Sequence, residues 1–236
     1  FIKALGMVKK AAALANMKIG LLDEKSAIAM VQPAIDIISG KHERPVPDRS
    51  DSGGAGTSFN MNTNEVICNR ALEILGRPRG DYNYISPNNH ANMSQSTNDV
   101  IPTSIRVCAL MRAEQLIIAL ENLADSFDKK GEEFKDVLKI GRTHLQDAVP
   151  ITLGLEFKAF ASSMRRRSNY IRRSCELLHT MNMGATAVGT GLNADPEYIK
   201  EVCEQLTLVT GESFTTADNL VDATSNTDIF TDLSSS

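Results

Sequence analysis

Seven small hydrogen-bonding side chains crowd the stretch "NMSQSTNDVIP" (92–102): Asn92, Ser94, Gln95, Ser96, Thr97, Asn98 and Asp99. Pro102 and a long apolar-patterned run follow. Hydroxyls and amides orient an anion through hydrogen bonds without swamping it in positive charge. A helix N-terminus adds unpaired backbone N–H groups and the positive end of the dipole. Such a stretch fits a carboxylate. The same residue types also serve as ordinary helix caps, and composition leaves both readings open. Two further loops share the plan, "GGAGTS" (53–58) and "GRTHLQDAVP" (141–150), each placing hydroxyls ahead of a predicted helix. Several such loops together would suit a small substrate with a carboxylate at each end. The glycine-rich "GATAVGTG" is neither a phosphate loop, for no G-K-[ST] follows, nor a dinucleotide fingerprint, for the G-x-G-x-x-G spacing is missing. His144, beside Thr143, reads by itself as a hydrogen-bonded structural histidine in preference to a ligand-binding one.

The elements that must position these loops are helical. Residues 1–18 read as an alanine-rich helix, and Glu24 to Ser39 as a second that tolerates Pro33 as a kink. The loop 40–58 precedes a helix from about Phe59 to Leu75, and 76–99 is irregular. Pro102 sits where a first helical turn accepts proline. Ile105, Ala109, Ala113, Leu116, Leu120, Leu123 and Phe127 then recur at steps of three and four, a sustained helical stripe. Leu110, Ile117, Ile118 and Ala124 widen it beyond one face, as in a helix buried among others. Beyond the 141–150 loop, Leu153, Phe157, Phe160, Met164, Ile171, Cys175 and Leu178 repeat the design. Shorter helices are predicted near 196–210 and from about 217 onward. The pattern predicts no strand ladder. Long helices joined by polar loops imply a mostly α, elongated bundle, with an N-terminal helical domain over 1–98 and a central long-helix domain over 99–236.

Composition narrows the class. The 236 residues are 42% hydrophobic and lack Trp, so the core rests on aliphatic side chains. The net charge of −4 includes no block suited to a nucleic-acid arm. The basic run "RRRSNYIRR" (165–173) spreads its arginines over several helix faces, as a solvated or subunit-facing surface would. Cys68, Cys108, Cys175 and Cys203 are scattered, which argues against a disulfide framework or zinc site and for a reducing, cytoplasmic compartment. No apolar run reaches membrane-spanning length, and no H-E-x-x-H or similar metal spacing occurs.

Four motifs in register carry a resemblance over the whole chain: "GGAGTSFNMNTNEVICNRALE" (53–73), "NMSQSTNDVIPT" (92–103), "GRTHLQDAVPITLG" (141–154) and "NMGATAVGTGLNADPEYI" (182–199). With "IKALGMVKKAAALANM" ahead of them, they resemble the aspartase/fumarase superfamily, and "GAGTSFNMN" resembles its aspartase branch. The resemblance implies reversible deamination of L-aspartate to fumarate and ammonia through an enediolate-like intermediate. It implies a homotetramer whose active sites are each built from three subunits, with no metal or organic cofactor. It places substrate binding on Thr57, Ser96, Thr97, Asn98, Thr143 and His144, with His144 orienting substrate and stabilising charge. It assigns the base to a serine in a Gly-Ser-Ser-x-Met-Pro-x-Lys-x-Asn loop, which occurs nowhere in these residues. The expectation is therefore a chain truncated at both ends. A class II fumarate hydratase is the nearest alternative, and a non-catalytic scaffold is another if the native chain ends at Ser236. Leu155 and Ser52 stand where relatives usually carry Gln, and "NNH" (88–90) where many carry Asn-Asp-His.

Overall fold

A computed structural model describes residues 1–41 and 54–236. Ser52 and most of the loop predicted over 40–58 lie outside the described residues. The chain forms two compact units, residues 1–109 with 178–227 and residues 110–177 with 228–236. This grouping does not follow a sequential boundary at 98/99. It breaks inside the longest helix and returns 178–227 to the first unit.

The first unit opens with α1 (Ile2–Lys18) and α2 (Glu24–Ile38). Ala4, Leu5, Val8, Ala11, Ala12 and Ala15 of α1 are buried. Small alanines at helical spacing let α1 lie close against α2 and against α7 (Pro196–Thr210). Asp23 caps α2 by accepting from the Ser26 N–H at 3.0 Å. Pro33 stays inside α2 without ending it. Met30, Ala34 and Ile37 then join Ile67, Cys68, Ala71 and Leu72 of α3 (Thr57–Ile74) in one apolar cluster with Ile85. A π-helical turn over Pro87–Ala91 leads to α4 (Thr97–Glu133). Three small elements complete this unit's return segment: α6 (Thr186–Gly189), α8 (Leu220–Ser225) and a short parallel pair of strands, 180–181 with 215–216.

In the second unit the rest of α4 is followed by an antiparallel hairpin and by α5 (Leu153–Leu177). Ala113 and Ile117 of α4 bury against Ile171 of α5, with Leu233 of α9 (Asp228–Ser235) packed on them. Phe127, Phe134, Phe157 and Phe160 form a tilted aromatic chain with centroids 5.6–6.1 Å apart. Two arginines of the basic run make interhelical pairs. Arg165 meets Asp125 at 2.8 Å and Asp128 at 2.7 Å, and Arg172 meets Glu121 at 2.6 Å.

The mostly helical fold matches the pattern of the sequence, with corrections. Residues 141–150 are not a loop. They belong to a hairpin of β1 (Leu138–Thr143) and β2 (Gln146–Thr152), with a register irregularity between Ile140 and Arg142. Gly141 and Pro150 made the stretch look like a loop. The ladder has only two strands and stays largely exposed, so it carries little of the apolar alternation that marks a half-buried strand. The segment predicted as one helix from about 217 is two, α8 and α9. Helix α4 starts at Thr97, so Pro102 lies in its second turn.

Candidate active site

The site grows from the first turn of α4. Ser96 precedes the helix, and its Oγ accepts from the Asn98 N–H at 3.2 Å. Asp99 reaches back and accepts from the Ser96 N–H at 2.8 Å. Ser96 thus caps the second-residue amide of α4 while Asp99, at the third, satisfies the Ser96 N–H, the returning half of a capping box. The capping reading of the stretch therefore holds for Ser96 and Asp99. It does not exhaust the stretch, because the hydrogen on Ser96 Oγ remains to be donated.

Pro102 explains a second contact. A proline inside a helix leaves the carbonyl four residues earlier without its usual donor. That carbonyl belongs to Asn98, and the Asn182 side-chain amide donates to it at 3.1 Å. The glycine-rich segment docks on the same turn twice more. Gly184 N–H donates to Asp99 Oδ2 at 2.8 Å, and Asn98 Nδ2 donates to the Ala187 carbonyl at 2.6 Å. Ala187 sits at φ 59°, ψ −104°, a backbone strained for a residue with a Cβ.

Beneath the turn lies a buried amide network. Asn92 Oδ1 accepts from Asn60 Nδ2 at 3.1 Å, Asn64 Nδ2 at 3.1 Å and Lys9 Nζ at 3.2 Å. Lys9 also donates to Gln95 Oε1 at 2.9 Å. Asn60 donates onward to Thr97 Oγ1 at 3.2 Å. Burial pulls the Lys9 amine down to about 7, against the raising effect of Asp99. Burial likewise pushes the Asp99 carboxyl up to about 6, against the lowering pull of the Ser96 and Gly184 N–H groups and of Lys9. Tyr198, fully buried and under the influence of Asp99, has its phenol pushed well up.

The signs of these shifts fix a pH dependence. Between the unfolded value near 4 and about 6, the folded chain holds a proton on Asp99 that the unfolded chain has released, so Asp99 makes stability fall as pH rises through that window. Replacing Asp99 by Asn removes that fall. Urea titrations at pH 4 and pH 6 should show a smaller loss in Asp99→Asn than in the parent. An unchanged difference would show that Asp99 is not held protonated by burial.

Thr57, Ser96, Thr97 and Asn98 all belong to the first unit. Thr57 is the exposed first residue of α3, one turn before Asn60, which bonds Thr97. Gly56, at φ 86°, lets the entry to α3 press on Ile101 of α4, where a Cβ would lie 2.8 Å from Ile101 Cγ1. Thr143 and His144 belong to the second unit. They stand at the hairpin turn, exposed, with His144 at φ 49° and Leu145 at φ 62°. Positive φ at both central residues of a two-residue loop is the type I′ pattern. These two donors therefore do not precede a helix as the other loops do, and the helix-dipole argument does not extend to them. Asn60, Asn64 and Lys9 were not singled out from sequence. Among the described residues no cluster of His, Cys, Asp and Glu is suited to hold a metal ion, and no helix is long and apolar enough to cross a membrane.

A family model described as lyase matches residues 1–236. Aspartate ammonia-lyase of Bacillus subtilis is 54% identical over 236 residues, which are 100% of this chain and 50% of that protein. Aspartate ammonia-lyase of Pseudomonas aeruginosa is 48% identical over 231 residues, 97% of this chain and 48% of that protein. Among solved structures, a fumarate lyase:delta crystallin from Brucella melitensis superposes with TM-score 0.96 at 48% identity, covering 99% of this chain and 51% of that one. A class II fumarase from Schistosoma mansoni superposes with TM-score 0.92 at 32% identity, covering 99% and 52%. The chain spans about half the length of the curated relatives it matches.

Proposed function

We propose, from the premise that this chain belongs to the lyase family whose model spans it, that it is the aspartate ammonia-lyase type of that family. The reaction is reversible deamination of L-aspartate to fumarate and ammonia. The observation that carries the reading is the first turn of α4. Both Ser96 Oγ and Thr97 Oγ1 accept internal hydrogen bonds, so both hydroxyl protons are left to face a ligand. Hydroxyl and amide donors of this kind suit a carboxylate whose charge must grow during reaction. The 54% identity to an aspartate ammonia-lyase supports L-aspartate as that substrate.

Deamination removes a proton from the carbon beside the side-chain carboxylate. The electron pair moves onto that carboxylate as an enediolate-like dianion. The pair then returns as the neighbouring C–N bond breaks, and ammonia leaves with the bonding electrons. Donors aimed at the growing negative charge lower this barrier. Thr57, Ser96, Thr97, Asn98, Thr143 and His144 are the proposed donors to the two carboxylates. Asn98 keeps one amide N–H beyond its bond to Ala187. The proton-abstracting serine that the family resemblance implies is not assigned to any of these residues.

The test is direct. The full-length gene product should release ammonia from L-aspartate and add ammonia to fumarate. Malate formation from fumarate without aspartate turnover would replace this reading with a hydratase.

The active assembly is proposed to be a homotetramer in a cytoplasmic setting. The support is the apolar girth of α4: Leu116, Ile118 and Leu123 are 51%, 50% and 42% exposed, and Phe160 of α5 is 45% exposed. Side chains of this size on long helices call for a covering partner. Sedimentation of the full-length protein should give four copies, and a stable, active monomer would refute the assembly.

A further inference from the structure

The amide network fixes its own orientations. Asn92 Nδ2 donates to the backbone carbonyl of Gln95 at 3.1 Å. A carbonyl only accepts, so the Asn92 amide has one possible sense, with Oδ1 turned inward. Every group facing that oxygen must then donate: Lys9 Nζ, Asn64 Nδ2 and Asn60 Nδ2. This places the Nδ2 of Asn60, not its oxygen, against Thr97. Asn60 is 1% exposed, so it has no room to swing to another partner. Thr97 Oγ1 is an acceptor toward Asn60, and among the described residues it has no other hydrogen-bond partner. A hydroxyl that accepts from Asn60 keeps its single proton away from Asn60, free to be donated elsewhere.

We infer that Asn60 is a positioning residue that fixes the Thr97 hydroxyl as a donor toward the substrate carboxylate. The inference rests on the reading of Thr97 as a substrate-binding residue. Asn60 touches no substrate atom in this arrangement. Its effect passes through one hydroxyl, and Asn92 with Lys9 holds it in the required sense.

A double-mutant cycle in the full-length protein tests it, with kcat/KM for L-aspartate as the readout and thermal melting as the folding control. Asn60→Ala should lower kcat/KM by about tenfold, the scale of one lost hydrogen bond. In the Thr97→Val background the same change should cost less than about twofold, because the group it acts through is gone. Asn60→Asp keeps the side-chain shape and serves if the alanine variant does not fold. Its carboxylate accepts from Thr97 and turns the proton inward, and it also sets an oxygen against Asn92 Oδ1, so its loss should exceed the alanine loss and should shrink, without vanishing, in the Thr97→Val background. Equal losses in both backgrounds would mean a general packing role and overturn the inference. No loss in either Asn60 variant would overturn it as well. If Thr97→Val alone leaves kcat/KM unchanged, Thr97 does not bind substrate, and the reading beneath falls together with the inference.

Discussion

Exchanging His144 for asparagine should slow aspartate turnover in the full-length protein, by less than the about 10²–10³-fold that removing one donor outright from a site of developing charge usually costs. The substitution suits its position. His144 sits at φ 49° in the hairpin turn, and Asn is among the few residues that tolerate this region. The hairpin backbone therefore keeps its shape. Asparagine also keeps an N–H donor of similar reach, but it neither carries nor releases a proton near neutrality. The two roles open to a histidine are thereby separated. A residue that orients and stabilises leaves some exchange of the hydrogen beside the side-chain carboxylate. A residue that abstracts the proton leaves none. Exchange measured at saturating aspartate should stay detectable in His144→Asn while turnover falls. Loss of exchange with substrate affinity and assembly intact would make His144 the base and end the proposed assignment.

The helices of this chain were legible because helical packing writes itself locally. The stripe from Ile105 to Phe127 marks α4, although its start at Thr97 falls inside the stretch read as irregular. The hairpin was not legible. Its turn is His144-Leu145 in place of the usual Asn-Gly, and its strands are mostly exposed. The buried network was hidden for another reason. Lys9 meets partners 83 and 86 positions away in the sequence, and Asn60 meets Thr97 across 37. Periodicity holds no record of such pairings. One local signal did exist. Leu5, Lys9, Ala12 and Asn16 share one buried stripe of α1, and a lysine and an asparagine at core positions require polar partners. Asn16 finds them in the Ala12 and Met93 carbonyls and in Ser94. The polar crowding of 92–99 is therefore divided. Part of it satisfies α1 and the cap of α4, and Ser96, Thr97 and Asn98 are the residues proposed to meet a ligand.

Gly189→Ala should be the most damaging single-methyl change in the first unit, costing about 3–5 kcal/mol. Two independent effects add. Gly189 holds φ 96°, where any residue with a Cβ is strained by roughly 1–3 kcal/mol. The new methyl would also lie 2.5 Å from Val221 Cα, 2.7 Å from the Leu220 oxygen and 2.9 Å from Val221 N. All three are backbone atoms, so no rotamer change relieves the overlap, and α6 must separate from α8. The consequence reaches the site. Gly184 and Ala187, within five residues of Gly189, hold Asp99 and Asn98, and Thr224 of α8 accepts from the same Asn182 amide that satisfies the Asn98 carbonyl. Displacing α6 should loosen the first turn of α4 and weaken substrate binding even below the melting transition. Gly189 in "GATAVGTG" thus serves close backbone approach. Melting followed by circular dichroism, with aspartate KM measured well below the midpoint, checks both parts. A midpoint within 2 °C of the parent would show that α6 and α8 part easily, and would remove the proposed link between this glycine and the substrate donors.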